Sequence, residues 1–525
     1  MTLRGAAAVG EGLAPARPAR PIRSGERIHV VGAAGAGASA AALLAAWRGA
    51  AVTGCDPGAP SPYTAALDAA GVPVARGHDA AHVSVPGEGG HPERLAVTKA
   101  LTAVDPHHPE LEAARRLGVP VEGWQQVVAD AAADRTLVAV AGTHGKSTTS
   151  GWLVHVVAAG GGDPGAFVGA LLPAALTGIG VPATARRGDG PAFVVEADEY
   201  AGNFDAYRPD VAVVTSAEWD HPDVFADRAA VVDAFERWLR AAAAPGRQVT
   251  LVANVADPGV ASLVERLADA PVRLVATAIV DVAPQRLGGY ARGIVDAYAT
   301  GVGPAQVLLG RITRADATGT TLELAGLEPW TTPMGVRLAT AGRHNAANAL
   351  GVAAAAHVLG VRPTAIVSGL GSFGGVGRRL ERKGEAQGVV VYDDYGHHPT
   401  AIRETLAAVR QLEPGRRVWA VYEPLTYHRT AALLDAFADV LAGADGVVVA
   451  DIWAGRDPDT TIASAARLAE AVARRAPSLP VAAPGSVEAT ATWLAREVAP
   501  GDAVLVMGGG RSYRIGELLL EALGV

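Results

Sequence analysis

The feature that most constrains this chain is a repeated alternation between strand-length apolar runs and helical segments. It begins at Ile28, where IHVVG predicts a buried strand and AALLAAWRG predicts the helix after it. The same layout starts again at Thr136 and once more after the glycine-rich segment Gly371–Gly377. Alternation of this kind predicts parallel strands with helices on both faces, so we expect an α/β fold.

The length of 525 residues is enough for about three or four domains. The two restarts predict three domains, at residues 26–135, 136–376 and 377–525. Residues 288–333 are less regular and contain β-like pieces, which indicates a small antiparallel insertion in the second domain. Residues 1–25 are rich in Ala, Pro and Arg without periodicity, and we expect a disordered extension there, with a transit peptide as the alternative.

Composition excludes several classes of protein. The chain has 45 basic and 53 acidic residues, a net charge of −8, which argues against broad phosphate neutralisation on a nucleic acid. A single cysteine, Cys55, rules out an intramolecular disulfide. No run approaches the roughly 20 apolar residues of a membrane helix. We therefore expect a cytoplasmic protein that binds neither nucleic acid nor membrane.

The strongest motif is AGTHGKSTTS at residues 141–150, which lies between a buried strand and a helix. Its glycines allow backbone N–H groups to surround a phosphate at the helix N-terminus. Lys146 supplies a positive charge to the terminal phosphates, and Ser147 is placed to ligate Mg²⁺. The spacing G-x-x-G-K-S is two residues shorter than the usual P-loop pattern, and an ordinary glycine-rich turn would not explain Lys146 and the hydroxyl residues.

Two further polar groups follow predicted strands of the same domain. Glu196 lies at the end of FVVEA, and His221 follows VAVVTS by a few residues. Ligands bind at the carboxyl edge of such sheets, so both should converge with Lys146 and Ser147 and hold divalent cations. Taken singly, Glu196 is also compatible with a solvated loop acid and His221 with a satisfied polar histidine.

Asn345 and Asn348 lie three residues apart on one predicted helix, hence on one face. Side-chain amides donate and accept hydrogen bonds, which suits the edge of a base. A helix N-cap at Asn345 is an equally good interpretation.

The third domain offers Arg379 in FGGVGRRLE, whose planar guanidinium suits phosphate, or alternatively is a solvated charge. Asp394, His397 and His398 follow a strand in VYDDYGHHP and indicate a site rather than a core, and TYHRT adds Arg429.

At the other end of the chain, a strand–turn–helix with Gly32, Gly35 and Gly37 is followed by a strand that ends in Asp56. That layout is typical of a diphosphate near a helix N-terminus, although it does not fit G-x-G-x-x-G.

In this order, the motifs resemble those of the Mur ligase family of peptidoglycan precursor synthesis. The matching segments are AGTHGKSTT, EADEY, the Asp-His after VVTSAE, GRHNAANAL, FGGVGRRLE and DDYGHHPTAI, and the resemblance runs from about Ile28 to the C-terminus. It implies an N-terminal Rossmann-like UDP-binding domain, a central P-loop ATPase domain with a parallel sheet, and a C-terminal Rossmann-like domain. DDYGHHPT, TYHRT and DIWAGRDPD favour the members that join L-alanine to UDP-N-acetylmuramate.

The resemblance implies ATP-dependent amide formation through an acyl phosphate, with two Mg²⁺ ions, in a monomer or homodimer. It implies catalytic roles for Lys146, Glu196, His221, Arg379 and His398. It implies metal binding by Ser147, Glu196 and His221, UDP-sugar binding by Gly32, Gly35, Gly37 and Asp56, and amino-acid binding by His398 and Arg429. ATP binding is implied for Gly142, Thr143, His144, Gly145, Lys146, Ser147, Thr148, Asn345, Asn348, Arg379 and Asp394.

The sequence departs from the family pattern at Ala34, Ala38, Ser216 and Glu423, and the final MGGGRSYRI is also unusual. EADEYAGNF and EWDHPDVF are nearer to the murein-tripeptide recycling ligase, so attachment of a tripeptide to the same sugar nucleotide is an alternative. A non-catalytic nucleotide-binding protein is a second alternative, against which Lys146, Glu196 and His221 argue together. An oxidoreductase would leave the phosphate loop unexplained.

Overall fold

The computed structural model describes residues 9–58, 60–87, 89–244, 246–282, 286–298, 303–327, 330, 332–455, 457 and 459–524. It contains three separate sheets, of five, ten and six strands. Each sheet lies within one of the three domains expected from the sequence. Among the helices in these ranges, none combines the length and the apolar character needed to cross a membrane.

The N-terminal domain is built on a five-stranded parallel sheet in the order β3-β2-β1-β4-β5. Its strands are β1 (Arg27–Val31), β2 (Ala51–Asp56), β3 (Val74–Arg76), β4 (Arg94–Val97) and β5 (Val121–Gly123). Its helices are α1 (Ala36–Trp47), α2 (Thr64–Ala69), α3 (Ala81–Ser84), α4 (Lys99–Val104), α5 (Pro109–Leu117) and α6 (Trp124–Ala131).

Residues 9–25 pack on this domain, which differs from the disordered extension expected for residues 1–25. Arg17 donates to Asp130 at 2.7 Å and to Glu122 at 3.2 Å, and Ile22 is buried. The composition of this segment could not predict these contacts, because the acidic partners of Arg17 lie more than 100 positions away in the chain. Residues 1–8 lie outside the described residues.

The central domain has a ten-stranded mixed sheet in the order β15-β14-β13-β12-β11-β10-β6-β9-β7-β8. Its strands are β6 (Thr136–Ala141), β7 (Gly165–Leu172), β8 (Ala183–Arg186), β9 (Ala192–Ala197), β10 (Val211–Val214), β11 (Val249–Asn254), β12 (Val272–Ile279), β13 (Gln306–Asp316), β14 (Gly319–Ala325) and β15 (Met334–Leu338). Its helices are α7 (Lys146–Ala159), α8 (Ala174–Thr177), α9 (Arg228–Ala242), α10 (Pro258–Arg266), α11 (Leu287–Ala297), α12 (Arg343–Val358) and α13 (Pro363–Ser372), with a 3-10 helix at Tyr200–Ala206.

The middle of this sheet is parallel, as expected, and both of its edges are antiparallel. β8 pairs antiparallel with β7, and the hairpin β13–β14 continues antiparallel into β15. The antiparallel piece expected between residues 288 and 333 is therefore an extension of the main sheet, because β13 also pairs in parallel with β12.

The C-terminal domain has six strands in the order β16-β17-β21-β18-β19-β20, parallel except for the edge strand β16. The strands are β16 (Glu381–Ala386), β17 (Val389–Asp394), β18 (Arg417–Glu423), β19 (Gly446–Ala450), β20 (Val481–Gly485) and β21 (Asp502–Gly508). The helices are α14 (Pro399–Leu412), α15 (Tyr427–Ala432), α16 (Leu434–Leu441), α17 (Ala465–Arg475), α18 (Val487–Glu497) and α19 (Tyr513–Ala522).

The domains contact one another where the carboxyl ends of their central strands meet. Between the first two domains, Trp124 packs edge-on against Phe167, and Lys99 donates to the carbonyl oxygens of Ala201 and Gly202. Between the second and third, Thr400 donates to Glu218 at 2.7 Å. The resulting cleft is bounded by all three domains.

Candidate active site

The phosphate loop joins β6 to α7 and requires glycine at two positions. Gly142 has φ +139° and Gly145 has φ +81°, a region that disfavours other residues. A Cβ at Gly142 would lie 2.2 Å from Thr215 Oγ1, and one at Gly145 would lie 2.6 Å from Asn348 Oδ1. The loop is therefore shaped by its glycines, and the first N–H groups of α7 face the cleft as an anion site.

Lys146 is the first residue of α7 and its ammonium is held by protein oxygens. Its Nζ donates to Gly142 O at 2.6 Å and to Glu199 Oε2 at 3.0 Å, and Asp198 lies 3.8 Å away. Burial disfavours the charge, but the carboxylates of Glu199 and Asp198 outweigh it and raise the pKa of Lys146. The ammonium is thus charged and placed beside the phosphate loop.

Ser147, Glu196 and Arg379 form one hydrogen-bonded group; the sequence predicted that the first two converge. Ser147 Oγ donates to Glu196 Oε1 at 3.0 Å, and Arg379 Nη2 donates to Ser147 Oγ at 2.8 Å. Gly169 N donates to the other Glu196 oxygen at 2.6 Å. A hydroxyl and a carboxylate supply the oxygen ligands that Mg²⁺ prefers, so this donor set fits that ion.

His221 lies with two carboxylates that the sequence analysis did not single out. Ligand atoms of His221, Asp198 and Glu199 all lie within 4.8 Å of one another. Burial raises the pKa of Glu199 to about 7, whereas Lys146 and His221 outweigh the effect of burial and lower the pKa of Asp198. The predicted metal group therefore divides into Ser147 with Glu196 and His221 with this acidic pair. EADEY contained the signal, since Asp198 and Glu199 lie two and three residues after Glu196.

Arg429 reaches across from the C-terminal domain to a buried carboxylate. Its Nε donates to Asp220 Oδ1 at 2.7 Å, and both side chains are only 4% exposed. Burial alone would raise the pKa of Asp220, but Arg429 and His221 hold it well below its usual range. Arg429 Nη2 also lies 3.2 Å from His221 Nδ1, so one arginine fixes the His221 loop.

His398 is the N-cap of α14, and both of its ring nitrogens are engaged. Nδ1 accepts from Thr400 N at 3.3 Å, and Nε2 donates to Trp219 O at 3.1 Å. Burial, with the nearby His144, lowers the pKa of His398 to about 4, so the ring is neutral. It lines the same cavity as Lys146, and its hydrogen bond to Trp219 ties the third domain to the second.

Asn345 and Asn348 are buried in the wall of a cavity of about 510 Å³ next to the phosphate loop. Asn345 Nδ2 donates to Ala341 O at 2.8 Å, and Asn348 Nδ2 lies 3.4 Å from Asn345 Oδ1. The N-cap interpretation of Asn345 is wrong, because Gly342 caps α12 and Asn345 lies inside the helix. Arg379 and Asp394 line the same cavity.

Asp394 organises the loop that carries Arg379. Its Oδ2 accepts from Leu380 N at 2.7 Å, and its Oδ1 accepts from Gly396 N at 2.7 Å. The Arg379 guanidinium lies 5.0 Å from the centre of the Tyr395 ring. This carboxylate therefore acts on the site by holding Arg379 and Tyr395 in place.

The N-terminal turn faces the same cavity as the phosphate loop. Gly32 has φ +77°, Gly35 caps α1, and a Cβ at Gly37 would lie 2.2 Å from the Trp124 ring. Asp56 accepts from Ala34 N at 3.0 Å, so it shapes the turn. The cavity is lined by residues of all three domains, among them Gly32, Gly35, Gly37, Lys146, Glu196, His221, Arg379, Asp394, His398 and Arg429.

Sequence reasoning missed Lys99, Trp124 and Glu218, which join the domains around this cavity. Burial lowers the pKa of Lys99, whose ammonium is held by two backbone carbonyls. Burial would raise the pKa of Glu218, but His144 and Thr400 outweigh it and lower that pKa to about 2. No quoted motif contains Lys99 or Trp124, whereas Glu218 is the last residue of VVTSAE and could have been found there.

Three family models match successive parts of the chain. Residues 27–136 match the Mur ligase family catalytic domain, residues 140–356 the Mur ligase middle domain, and residues 378–510 the Mur ligase glutamate ligase domain.

Curated relatives are similar over nearly the full length. The UDP-N-acetylmuramate–L-alanine ligase of Frankia casuarinae is 37% identical over 524 residues, which cover 95% of this chain and 98% of the relative. That of Kineococcus radiotolerans is 39% identical over 504 residues, covering 95% and 96%.

Two solved structures share the fold. The UDP-N-acetylmuramate–alanine ligase of Thermotoga maritima superposes with a TM-score of 0.72 at 21% identity, covering 94% of this chain and 98% of the other. A murein peptide ligase from Psychrobacter arcticus gives a TM-score of 0.67 at 24% identity, covering 95% and 99%. At these identities the likeness concerns the fold alone.

Proposed function

This chain belongs to the Mur ligase family, and on that premise we propose that it joins the lactyl carboxylate of UDP-N-acetylmuramate to L-alanine in an ATP-dependent reaction of peptidoglycan precursor synthesis. The observation that carries the proposal is one cavity bounded by the N-terminal glycine turn, the phosphate loop and the His398–Arg429 region. A sugar nucleotide, a triphosphate and an amino acid must meet in this reaction. The glycine turn suits the first, the phosphate loop the second, and the His398–Arg429 region the third.

A carboxylate is a poor acyl donor, so it must first gain a leaving group. In the proposed reaction the lactyl carboxylate attacks the γ-phosphate of ATP, giving an acyl phosphate and ADP. The amine of L-alanine then attacks the acyl carbon and displaces phosphate. Lys146 and Arg379 bring positive charge to the transferring phosphoryl group, where negative charge is spread over several oxygens.

The family implies Mg²⁺, and the donor sets described above fit it. We assign one ion to Ser147 and Glu196 and a second to His221, aided by Asp198 and Glu199. When bound, Mg²⁺ would neutralise charge on the phosphate oxygens and so favour transfer of the γ-phosphoryl group. Hydrogen bonds from Ser147 to Glu196 and from Arg379 to Ser147 hold these oxygen donors beside the phosphate loop.

The remaining roles fall on the three-domain cavity and on the neighbouring cavity of about 510 Å³. We assign the adenine to the cavity beside Asn345 and Asn348, the phosphates to residues 142–148, and the diphosphate of the UDP-sugar to the turn with Gly32, Gly35 and Gly37. Arg429 and His398 bound the end of the cavity left for the amino acid, and Asp56 and Asp394 hold the two loops in shape. All these residues come from one chain, so a monomer or a homodimer in the cytoplasm is compatible with the proposal.

Phosphate release by the purified full-length protein tests the proposal. With ATP, Mg²⁺ and UDP-N-acetylmuramate present, we expect release on adding L-alanine, and only background release without the sugar nucleotide. L-alanyl-γ-D-glutamyl-meso-diaminopimelate in place of L-alanine tests the recycling alternative, which the EADEYAGNF segment favours. Release with the tripeptide and none with L-alanine would overturn the first assignment in favour of the second.

A further inference from the structure

A second polar cluster lies buried in the N-terminal domain, away from the cavity just described. It consists of His29 on β1, Cys55 on β2, His82 in α3 and Glu110 in α5. Cys55 and Glu110 are fully buried, His29 is 2% exposed, and the His82 side chain is 23% exposed. None of the four is among the described residues that line the three-domain cavity.

The ligand atoms of this cluster converge on one point. One atom from each of the four residues lies within 4.8 Å of the other three. Cys55 Sγ is 3.0 Å from Glu110 Oε1, His82 Nδ1 is 2.6 Å from the same oxygen, and His29 Nε2 is 3.9 Å from Glu110 Oε2. The four groups come from four different elements, so the fold brings them together and local sequence does not.

His29 supplies a second, independent observation. Its Nε2 is buried and has no hydrogen-bond partner among the described residues, although it points towards Glu110. Its Nδ1 lies 2.7 Å from Thr53 Oγ1. With Nδ1 donating to that hydroxyl, Nε2 carries the lone pair. Burial lowers the pKa of His29 to about 4, so the ring is neutral. An outer hydrogen bond of this kind orients histidine ligands in metal sites.

A buried polar atom left without a partner is costly, and so is a buried carboxylate beside a thiol. A cation would satisfy the imidazole lone pair and the carboxylate together. Burial and Glu110 raise the pKa of the Cys55 thiol. Binding of a metal ion to sulfur displaces the thiol proton into solvent.

We propose that Cys55, His29, His82 and Glu110 bind one Zn²⁺ ion as a closed structural site. Zn²⁺ takes four ligands of sulfur, imidazole and carboxylate type in tetrahedral geometry. A thiolate and two imidazoles beside a single carboxylate disfavour Mg²⁺ and Ca²⁺, which take mainly oxygen ligands. Four protein ligands leave no open position, so the ion has a structural role and no part in the ligase chemistry.

The site is connected to the N-terminal glycine turn through the backbone. Cys55 O accepts hydrogen bonds from Gly32 N at 2.9 Å and from Ala33 N at 3.1 Å. An ion on Cys55 Sγ therefore fixes the strand end that supports this turn. His78 stands beside the cluster, with its Nδ1 3.3 Å from Cys55 Sγ, and its ring centre lies 4.4 Å from that of His108.

The test is metal content and cobalt spectroscopy on the full-length protein purified under reducing conditions without chelators. We expect one Zn²⁺ per chain by elemental analysis after incubation with Zn²⁺ and desalting. Co²⁺ replacing Zn²⁺ should give the visible bands of tetrahedral coordination and a near-ultraviolet thiolate charge-transfer band. Only a cysteine ligand gives the latter band, so it separates this cluster from the Asp198–Glu199–His221 group.

Cys55→Ser should remove the charge-transfer band, and His82→Ala should weaken Zn²⁺ binding at least about tenfold in competition with a chromogenic chelator. His107→Ala is the matched control, because His107 lies in the same domain and is 85% exposed. Far-ultraviolet circular dichroism establishes that each variant is folded. A folded wild-type protein that shows no thiolate–cobalt band, or Zn²⁺ binding unchanged in both cluster variants, would overturn the proposal.

Discussion

Lys146 and Glu199 lie 3.0 Å apart with little access to solvent, and each determines the protonation of the other. The ammonium keeps its charge because carboxylates surround it, and Glu199 has a raised pKa because burial outweighs that attraction. A triphosphate entering the loop would compete with these carboxylates for Lys146. We therefore expect Lys146 to exchange its carboxylate partners for the triphosphate when the ligand binds. Its contribution can be measured by a single substitution.

Replacing Lys146 with alanine should lower the rate of phosphate release by about 10²–10³ or more, because one main source of charge at the transferring phosphoryl group is lost. The variant should remain folded, since Glu199 can take up a proton once its partner is gone. Lys383→Ala is the control, because Lys383 pairs with Glu381 on β16. A Lys146→Ala variant that keeps a near-normal rate would remove the phosphate-loop assignment.

His398 makes a pH-dependent contribution to stability. In the folded protein its pKa is about 4, below the usual 6.5. Between these two pH values the unfolded chain binds more protons than the folded protein, so stability falls as the pH falls from about 6.5 to about 4. The contribution lost at about pH 5 is about 2 kcal/mol. His398→Asn keeps an N-cap side chain without the titration. Its melting temperature should therefore fall less than that of the wild type between about pH 7 and pH 5.

His107→Asn is the matched control for this pH dependence, because its ring is 85% exposed and its acidic partner, Glu112, belongs to the same domain. That variant should follow the wild-type curve. Parallel melting curves for His398→Asn and the wild type across the same window would contradict the buried, neutral state of His398.

At the scale of elements, the site depends on where strands stop and helices begin. β6, β9 and β10 end at one edge of the central sheet, and this brings the phosphate loop, Glu196 and the His221 loop together. α7 and α12 then meet at Gly145 and Asn348, where the close approach excludes a side chain. The contact joins the candidate phosphate-binding loop to the helix that forms a wall of the neighbouring cavity.

Gly145→Ala should weaken ATP binding at least about tenfold, equivalent to about 1.4 kcal/mol. The new Cβ would lie 2.6 Å from Asn348 Oδ1 and push the two elements apart. Gly161→Ala, just beyond the other end of α7, is the matched control. It has φ +87° and so carries a similar backbone strain, but no described atom lies within 4 Å of its added Cβ. Calorimetric titration with ATP measures both variants, and equal affinities would mean that the Asn348 contact has no role.

At the scale of the whole molecule, the C-terminal domain is held by a few polar contacts around the cleft. Arg379, His398, Thr400 and Arg429 each make a hydrogen bond to the central domain. The Arg429–Asp220 pair is the most buried of these contacts, and the loss of one partner from such a pair costs about 3–5 kcal/mol. Because Asp220 adjoins His221, the position of the third domain and the shape of the candidate metal site are linked.

Arg429→Ala should shift the protein towards an arrangement in which the C-terminal domain has moved away, because Asp220 can then reach water. Small-angle X-ray scattering should record a larger radius of gyration than for the wild type. Arg410→Ala is the control, since Arg410 bonds to Gly443 and Asp445 within the C-terminal domain. An unchanged scattering profile for Arg429→Ala would show that this ion pair does not hold the domains together.

The sequence alone determined the features that are local in the chain. A strand followed by Gly142–Ser147 and a helix predicts an anion site, because the loop glycines and the helix N-terminus are consecutive residues. For the same reason, the restarts of the α/β pattern coincide with the start of a new sheet, since β6 begins at Thr136 and β16 begins at Glu381, just after Gly377. The family motifs also pointed to Glu196, His221 and Arg379, all of which line the cavity.

Only the tertiary structure decided how distant residues are paired. Arg379 reaches Ser147 across 232 positions of sequence, and Arg429 reaches Asp220 across 209. The packing of residues 9–25, the role of Asp394 as a loop support and the Cys55–His29–His82–Glu110 cluster depend in the same way on separate elements meeting. Periodicity and spacing describe neighbours along the chain, whereas these contacts arise from burial and charge compensation between domains and sheets, which no single segment encodes.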